Sequence, residues 1–336
     1  MRANDLDSIN ELYAKSEPFF SVYPSFDIST LPSWVAKNIE NARVYGNTKK
    51  GIILPDGRKY NLDNHLNDMT GREWTFFINS VFSTRYPTNG KESYAHHIRK
   101  IHPTPKPPQL MRDLIYFFTK EGELVFDTFM GVGGSLLGAA LANRVGAGIE
   151  LNQQYIEAYT EAADKLQLET FKTKCGDCIS LLKENSIMEE LTGGKKISLL
   201  LIDPPYSNMM SKAKTGADIA VYGKSATPFS DSGLDLGNMD RDLFLKKLKE
   251  SVELTLPYIK FRGYVVVFIK DLQPNKKETN LLHAEVVEIL NQISNLYYKG
   301  MKIWADESAK LYPYGYPFCF VANQIHQYIL VFRKEK

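Results

Sequence analysis

One stretch constrains the fold more than any other: Val125-Phe126-Asp127-Thr128-Phe129-Met130-Gly131-Val132-Gly133-Gly134-Ser135. A short apolar run, Glu123 to Phe126, enters a glycine-rich turn. The apolar stretch Leu136 to Asn143 then reads as a helix, and Gly146-Ala147-Gly148-Ile149-Glu150 as a second strand ending in a carboxylate. Strand, glycine loop, helix, strand and acid make the first half of a nucleotide-binding α/β unit. The glycines let the backbone approach a ligand closely. The acid at the second strand tip can accept hydrogen bonds from ribose hydroxyls.

Two cofactors suit such a unit. The NAD fingerprint G-x-G-x-x-G starts with Gly131 and Gly133, but Leu136 stands where the third glycine belongs. S-adenosylmethionine accounts for Asp127, because a carboxylate can hold the cationic methionyl amino group; NAD offers no cation there. A second site decides between them. The apolar run Ile197 to Ile202 reads as a buried strand and ends in Asp203-Pro204-Pro205-Tyr206. Alone, this is a strand followed by proline turn chemistry. It also places a carboxylate, a peptide carbonyl and a flat ring around a small planar cavity, as methylation of an exocyclic amino group requires. The glycine loop, Asp127, Glu150 and Asp203 to Tyr206 together favour a methyltransferase over a nicotinamide-dependent oxidoreductase.

These motifs resemble those of the S-adenosylmethionine-dependent amino-methyltransferases of DNA, which make N6-methyladenine or N4-methylcytosine. Phe129-x-Gly131-x-Gly133 resembles their cofactor loop, and Asp203-Pro204-Pro205-Tyr206 their catalytic motif. His102-Pro103-Thr104-Pro105-Lys106-Pro107-Pro108-Gln109-Leu110 resembles the segment closing over the methionine end of the cofactor, with a helix expected over Met111 to Thr119. Cys175-Gly176-Asp177 resembles the position where an acid reads the cofactor adenine. The resemblance implies that His102, Thr104, Lys106, Asp127, Phe129, Gly131, Gly133, Glu150 and Asp177 bind cofactor. It further implies that Asp203, Pro204, Pro205 and Tyr206 carry catalysis. It covers roughly residues 95 to 335, with the motifs in a sensible order. Many small family members have the catalytic motif first; here the cofactor loop precedes it.

The expected fold is α/β, a Rossmann-like methyltransferase arrangement with a mostly parallel twisted sheet and an antiparallel C-terminal strand pair. With 336 residues and 43% hydrophobic content, the chain accommodates one large domain and a smaller part. The expected division is an N-terminal accessory region over 1–94 and a methyltransferase domain over 95–336, with a substrate loop over 207–238. No stretch reads as a membrane span, and the N-terminal residues are too polar for a signal peptide. A cytoplasmic location is therefore expected. The net charge of +2 makes any nucleic-acid surface local. Cys175 and Cys178 form a C-x-x-C without a second ligand pair, so no metal site is expected.

Residues 1–94 are aromatic-rich, with Phe19, Phe20, Tyr23, Trp34, Trp74, Phe76 and Phe77 among them. They read either as a satellite core or as a surface touching nucleic acid. A hairpin is expected around Pro55-Asp56-Gly57-Arg58, and a helix from a Thr70 cap through Gly71 to Phe82, with Trp74, Phe77, Ile78 and Val81 on one face. The basic run His96, His97, Arg99, Lys100, His102, Lys106 and Arg112 reads either as a solvated loop leading to the cofactor segment or, the favoured reading, as a phosphate contact beside the site. Lys212, Lys214 and Lys224 would meet phosphates when the substrate loop orders. The aromatic segment Tyr312 to Phe318 reads equally as edge packing or as a surface for stacked bases.

The expected substrate is adenine N6 in DNA, flipped from a duplex, with single strands left open. The choice of adenine comes from the resemblance, in which a leading Asp is commoner in adenine enzymes. N4 of cytosine and adenine in RNA are alternatives. A non-catalytic nucleic-acid-binding subunit is a reading from another class.

Overall fold

The computed structural model describes residues 3–207, 229–271 and 280–336, so Lys212, Lys214 and Lys224 lie outside the described residues. The chain divides into two compact units, 1–79 with 116–122, and 80–115 with 123–336.

The first unit carries a four-stranded antiparallel sheet, β1 (Glu17–Pro18), β2 (Arg43–Tyr45), β3 (Gly51–Ile53) and β4 (Lys59–Asn61), in that order. The expected hairpin is β3–β4: its turn holds Gly57 at φ +82°, while Asp56 accepts the Arg58 amide at 3.0 Å. Phe19, Val35, Ile39, Val44, Ile52 and Leu54 form the core of this unit, and Trp34 meets Tyr60 edge-on at 5.9 Å. Thr70 caps a helix through a reciprocal box with Glu73, as expected. The helix is shorter than its apolar spacing predicts, Gly71–Phe77. Trp74 and Phe77 meet Phe117, the latter stacked at 4.0 Å, but Ile78 and Val81 are exposed. Val81–Thr84 is instead β5, paired with a distant strand of the second unit. Sheet pairing there overrides the local helical period.

The second unit holds an eight-stranded sheet. Beyond β5 it comprises β6 (Leu124–Asp127), β7 (Val145–Glu150), β8 (Lys172–Cys175), β9 (Ile197–Ile202), β10 (Ile259–Ile269), β11 (Leu296–Asp306) and β12 (His326–Lys334). The strand order is β5-β11-β12-β10-β9-β6-β7-β8. Only β12 runs against its neighbours, so the carboxyl ends of the other seven share one edge. All six residues of β9 are buried, Ser198 among them, as a nearly all-apolar central parallel strand requires. The helix following the glycine loop spans Gly134–Leu141, and helices Gln153–Lys165, Cys178–Leu182 and Arg241–Thr255 begin at side-chain caps from Asn152, Asp177 and Asp240. From β6 the chain steps outward through β7 to β8, then returns to β9 on the other side of β6. Open α/β sheets bind ligands at the carboxyl ends beside such a reversal. Asp127 ends β6 and Asp203 follows β9, so the topology brings both acids to that point.

Candidate active site

A cavity of about 290 Å³ opens at this edge of the second unit. Phe129, Gly131, Glu150 and Asp177 line it, as do Asp203, Pro204, Pro205 and Tyr206. His102, Thr104 and Lys106 complete the expected set on its wall. Two expected residues, Asp127 and Gly133, do not line it. Asp127 is buried beneath the loop, accepting the Phe129 amide at 2.9 Å and the Ser135 hydroxyl. Gly133 stands at the start of the helix at φ +70°, where an added Cβ would come within 2.1 Å of the Tyr159 ring.

Glu150 spans the loop. Its two oxygens accept the Gly131 amide at 2.7 Å and the Asn152 amide at 2.9 Å. Asp177 caps its helix through the Ser180 amide at 2.8 Å while lining the cavity. Cys175 is exposed at the end of β8, and Cys178 is buried in the helix that Asp177 caps.

Two donors meet the Asp203 carboxylate. Lys106 Nζ donates to its Oδ2 at 2.6 Å, and the Tyr206 hydroxyl donates to its Oδ1 at 2.6 Å. Lys106 Nζ also lies 3.4 Å from the Tyr206 hydroxyl and 5.3 Å from the Phe268 ring centroid. Each oxygen thus has one donor, and an ionised carboxylate has room for about four. The Lys106 side chain is 8% exposed and that of Asp203 16%. Removing one partner from a buried charge-assisted bond typically costs about 1–3 kcal/mol. Lys106→Met should lower the melting temperature, and Lys106→Met/Asp203→Asn should recover part of the loss. Thermal melts of both singles and the double measure the coupling; strictly additive losses would show that the pair is energetically independent.

The basic run of this region is split: His97 and Lys100 are exposed, whereas Arg99 and Lys106 are buried. Arg99 is 1% exposed and donates to the carbonyls of Tyr94 at 3.1 Å and Lys106 at 2.9 Å, tying the segment to itself. Burial lowers its pKa to about 10. His102 packs against Tyr155 and Phe229, with ring centroids at 4.9 and 5.0 Å. Burial pushes its imidazole down to about 4, so it is neutral at physiological pH. Arg99 serves the local structure, because burying an unpaired cation is costly and the Tyr94 and Lys106 carbonyls satisfy it.

Burial raises Asp127 from 3.8 to about 7, against the hydrogen bonds of Ser135 and Phe129, and raises Glu150 from 4.5 to about 7. The folded chain therefore keeps protons that the unfolded chain releases. The contribution of these groups to stability is full below about pH 4 and is lost as pH rises through 7. The melting temperature of the free protein should carry this decline, and Asp127→Asn with Glu150→Gln should flatten it. An undiminished decline in that double variant would assign it to other groups.

Several cavity residues were not visible as such in the sequence. Phe229, Asp235 and Gln327 line it from distant segments. Tyr155 fixes the first of these through its hydroxyl, which donates to the Phe229 carbonyl at 3.0 Å. Thr128 offers the only buried side-chain polar atom without a hydrogen-bond partner among the described residues, Oγ1, on the cavity wall. Its position beside the glycine loop was the available signal.

The sheet has the strand order, and the glycine loop at the reversal point, with which open α/β folds bind nucleotide cofactors, and the acid-Pro-Pro-aromatic strand end opens into the same cavity. Residues 15–161 match the N6/N4 methylase family model, described as DNA methylase. The matched stretch contains the glycine loop and ends before Asp203. The type II methyltransferase M.HpaI of Haemophilus parainfluenzae is 39% identical over 71 residues, 21% of this chain and 23% of that protein. The orphan methyltransferase M.BamHII of Bacillus amyloliquefaciens is 36% identical over 77 residues, 23% of this chain and 29% of that one. The chain thus matches less than a third of the length of either relative. The solved structure of TrmN from Thermus thermophilus aligns with a TM-score of 0.44 at 13% identity, over 72% of this chain and 53% of that one. No helix among the described residues is long and apolar enough to cross a membrane.

Proposed function

We propose that this protein methylates the exocyclic N6 of adenine in DNA, using S-adenosylmethionine. The observation that supports this reading most is the shared cavity: the Asp203 carboxylate and the Gly131 loop face one enclosure at the carboxyl edge of the sheet. Had the tip of β9 turned away from the glycine loop, the reading would have lost its chemical basis.

The residues present fit the cofactor. Gly131 keeps the loop close to His102, whose ring an added Cβ would meet at 3.4 Å. Thr128, whose buried hydroxyl has no partner, stands on the cavity wall. Glu150 and Asp177 supply carboxylates on the wall for ribose hydroxyls and the adenine amino group. Asp127, set behind the loop, holds the loop's shape through Phe129 and Ser135. When bound, S-adenosylmethionine supplies an electrophilic methyl group on a sulfonium.

An exocyclic amino group delocalises its lone pair into the ring and is a poor nucleophile. Asp203 accepts one N–H and the Pro204 carbonyl the other, drawing the nitrogen toward sp³ geometry and freeing the lone pair. The nitrogen becomes positive as it reacts, and the Asp203 carboxylate stabilises that charge. Alignment and pre-placed acceptors supply most of the acceleration. Lys106 and the Tyr206 hydroxyl orient Asp203 from behind, and Tyr206 stacks on the base. The target base leaves the duplex stack to reach the cavity, at a cost of a few kcal/mol. The protein works where DNA is accessible, in the cytoplasm.

The test is methyl transfer from labelled S-adenosylmethionine to DNA, followed by modified-base mapping. N6-methyladenine is the expected product. N4-methylcytosine would move the assignment to the alternative base, methylation of RNA alone would move it to that substrate, and no transfer to any nucleic acid would overturn it. Thermal protection by NAD with none from S-adenosylmethionine would also overturn it.

A further inference from the structure

The loop between β11 and β12, residues 307–325, crosses the same edge of the sheet as Asp203. It presents Tyr316, Phe318 and Phe320 at 80%, 92% and 93% exposure. Such exposure of three neighbouring rings is unusual, because each forfeits its hydrophobic gain. The loop is nonetheless built rather than slack. Asn323 accepts the Tyr312 amide at 2.9 Å and donates to the Tyr312 carbonyl at 2.8 Å, clamping its base. The Phe318 and Cys319 amides both donate to the Gly315 carbonyl, at 2.7 and 2.8 Å. Gly315, at φ +77°, permits this turn, since an added Cβ would lie 2.3 Å from the Cys319 carbonyl oxygen. The fold therefore holds three rings in water on a defined turn.

Where the loop starts and ends says what meets them. It leaves β11 at Asp306 and Ser308, which line a second cavity of about 290 Å³, and re-enters the sheet next to Gln327. Thr104, Lys106 and Gln327 line both cavities, so the loop is rooted on the wall beside Asp203. From Leu311 to Ile325 there is no Asp, Glu, Lys or Arg. The tip has no charge for a phosphate or an acidic or basic peptide, only flat π-faces.

We infer that Tyr316, Phe318 and Phe320 stack on bases of the substrate nucleic acid next to the extruded nucleotide. The inference rests on the proposed nucleic-acid methyltransferase reading and adds a contact surface to it. The rings fill the gap in the base stack and hold the nucleotide out. Stacking is indifferent to base identity, so this surface contributes affinity and extrusion, and sequence choice is made elsewhere.

The test uses the full chain, Tyr316→Ala/Phe318→Ala/Phe320→Ala, and Phe318→Trp, with a short duplex carrying the sequence found by modification mapping. The triple variant should bind that duplex about 10–100-fold more weakly, with the slope of log affinity against log salt unchanged, because phosphate contacts are not touched. Its melting temperature and S-adenosylmethionine affinity should match those of the parent. Turnover should recover on a duplex lacking the base opposite the target, and Phe318→Trp should behave like the parent. A triple variant within about 2-fold of the parent in duplex affinity and turnover overturns the inference alone. Loss of binding to anionic lipid vesicles with duplex affinity intact overturns it in favour of a membrane contact. A parent chain that neither binds nor methylates nucleic acid overturns the site reading and this inference with it.

Discussion

Replacing Asp203 by Asn should lower methyl transfer by about 10³-fold or more while leaving S-adenosylmethionine affinity within a few-fold of the parent. The carboxylate is the only charged acceptor in Asp203-Pro204-Pro205-Tyr206, and it holds one donor on each oxygen, Lys106 and the Tyr206 hydroxyl. Asn keeps the volume but removes the negative charge that offsets the developing positive charge on the target nitrogen. It also exposes a donor where an acceptor is needed. The glycine loop, Thr128 and Glu150 are unchanged, so cofactor binding serves as the control for folding. Single-turnover rates with calorimetric cofactor titrations separate the two quantities. Near-parental turnover in Asp203→Asn would remove Asp203 from the chemistry.

The second large effect is on stability. Gly133→Ala should destabilise the protein by about 3 kcal/mol or more and abolish cofactor binding under conditions where the parent binds. The left-handed backbone at φ +70° costs about 1–2 kcal/mol for a residue with a Cβ. The new methyl would also meet the Tyr159 ring at 2.1 Å. That ring cannot retreat: it is fully buried, and its hydroxyl accepts the Phe171 amide at 2.8 Å. Gly193→Ala is the matched control, since Gly193 has φ +58° but nothing within 4 Å of an added Cβ. The difference between the two melting shifts isolates the clash. Equal shifts would mean that Tyr159 yields, and that Gly133 is required for its backbone alone.

Periodicity made most of the second unit legible. Buried parallel strands such as β9 read as nearly continuous apolar runs, and helix starts such as Asp240 before Arg241 carry their capping side chain in the sequence. Where long-range pairing competed with local pattern, the reading failed. Ile78 and Val81 have helical spacing, but β5 pairs Val81 with Ile303, across more than two hundred residues. No local window contains that partner.

The candidate site divides the same way. The sequence by itself determined the chemistry available: a glycine loop that admits close approach, acids at strand ends, and a carboxylate ahead of two prolines and a ring. Those depend on residue type and neighbours along the chain. Only the tertiary structure decided which of these groups face the cavity. It set Asp127 behind the loop, turned Arg99 and His102 inward, and joined Lys106 to Asp203 across 97 residues. It also kept Phe318 and Phe320 in water while burying Phe19 and Phe126, although all four are the same residue type. The cause is that burial and partner choice are properties of the folded neighbourhood: a side chain's ionisation, hydrogen bonds and access to a ligand depend on what the distant chain brings beside it.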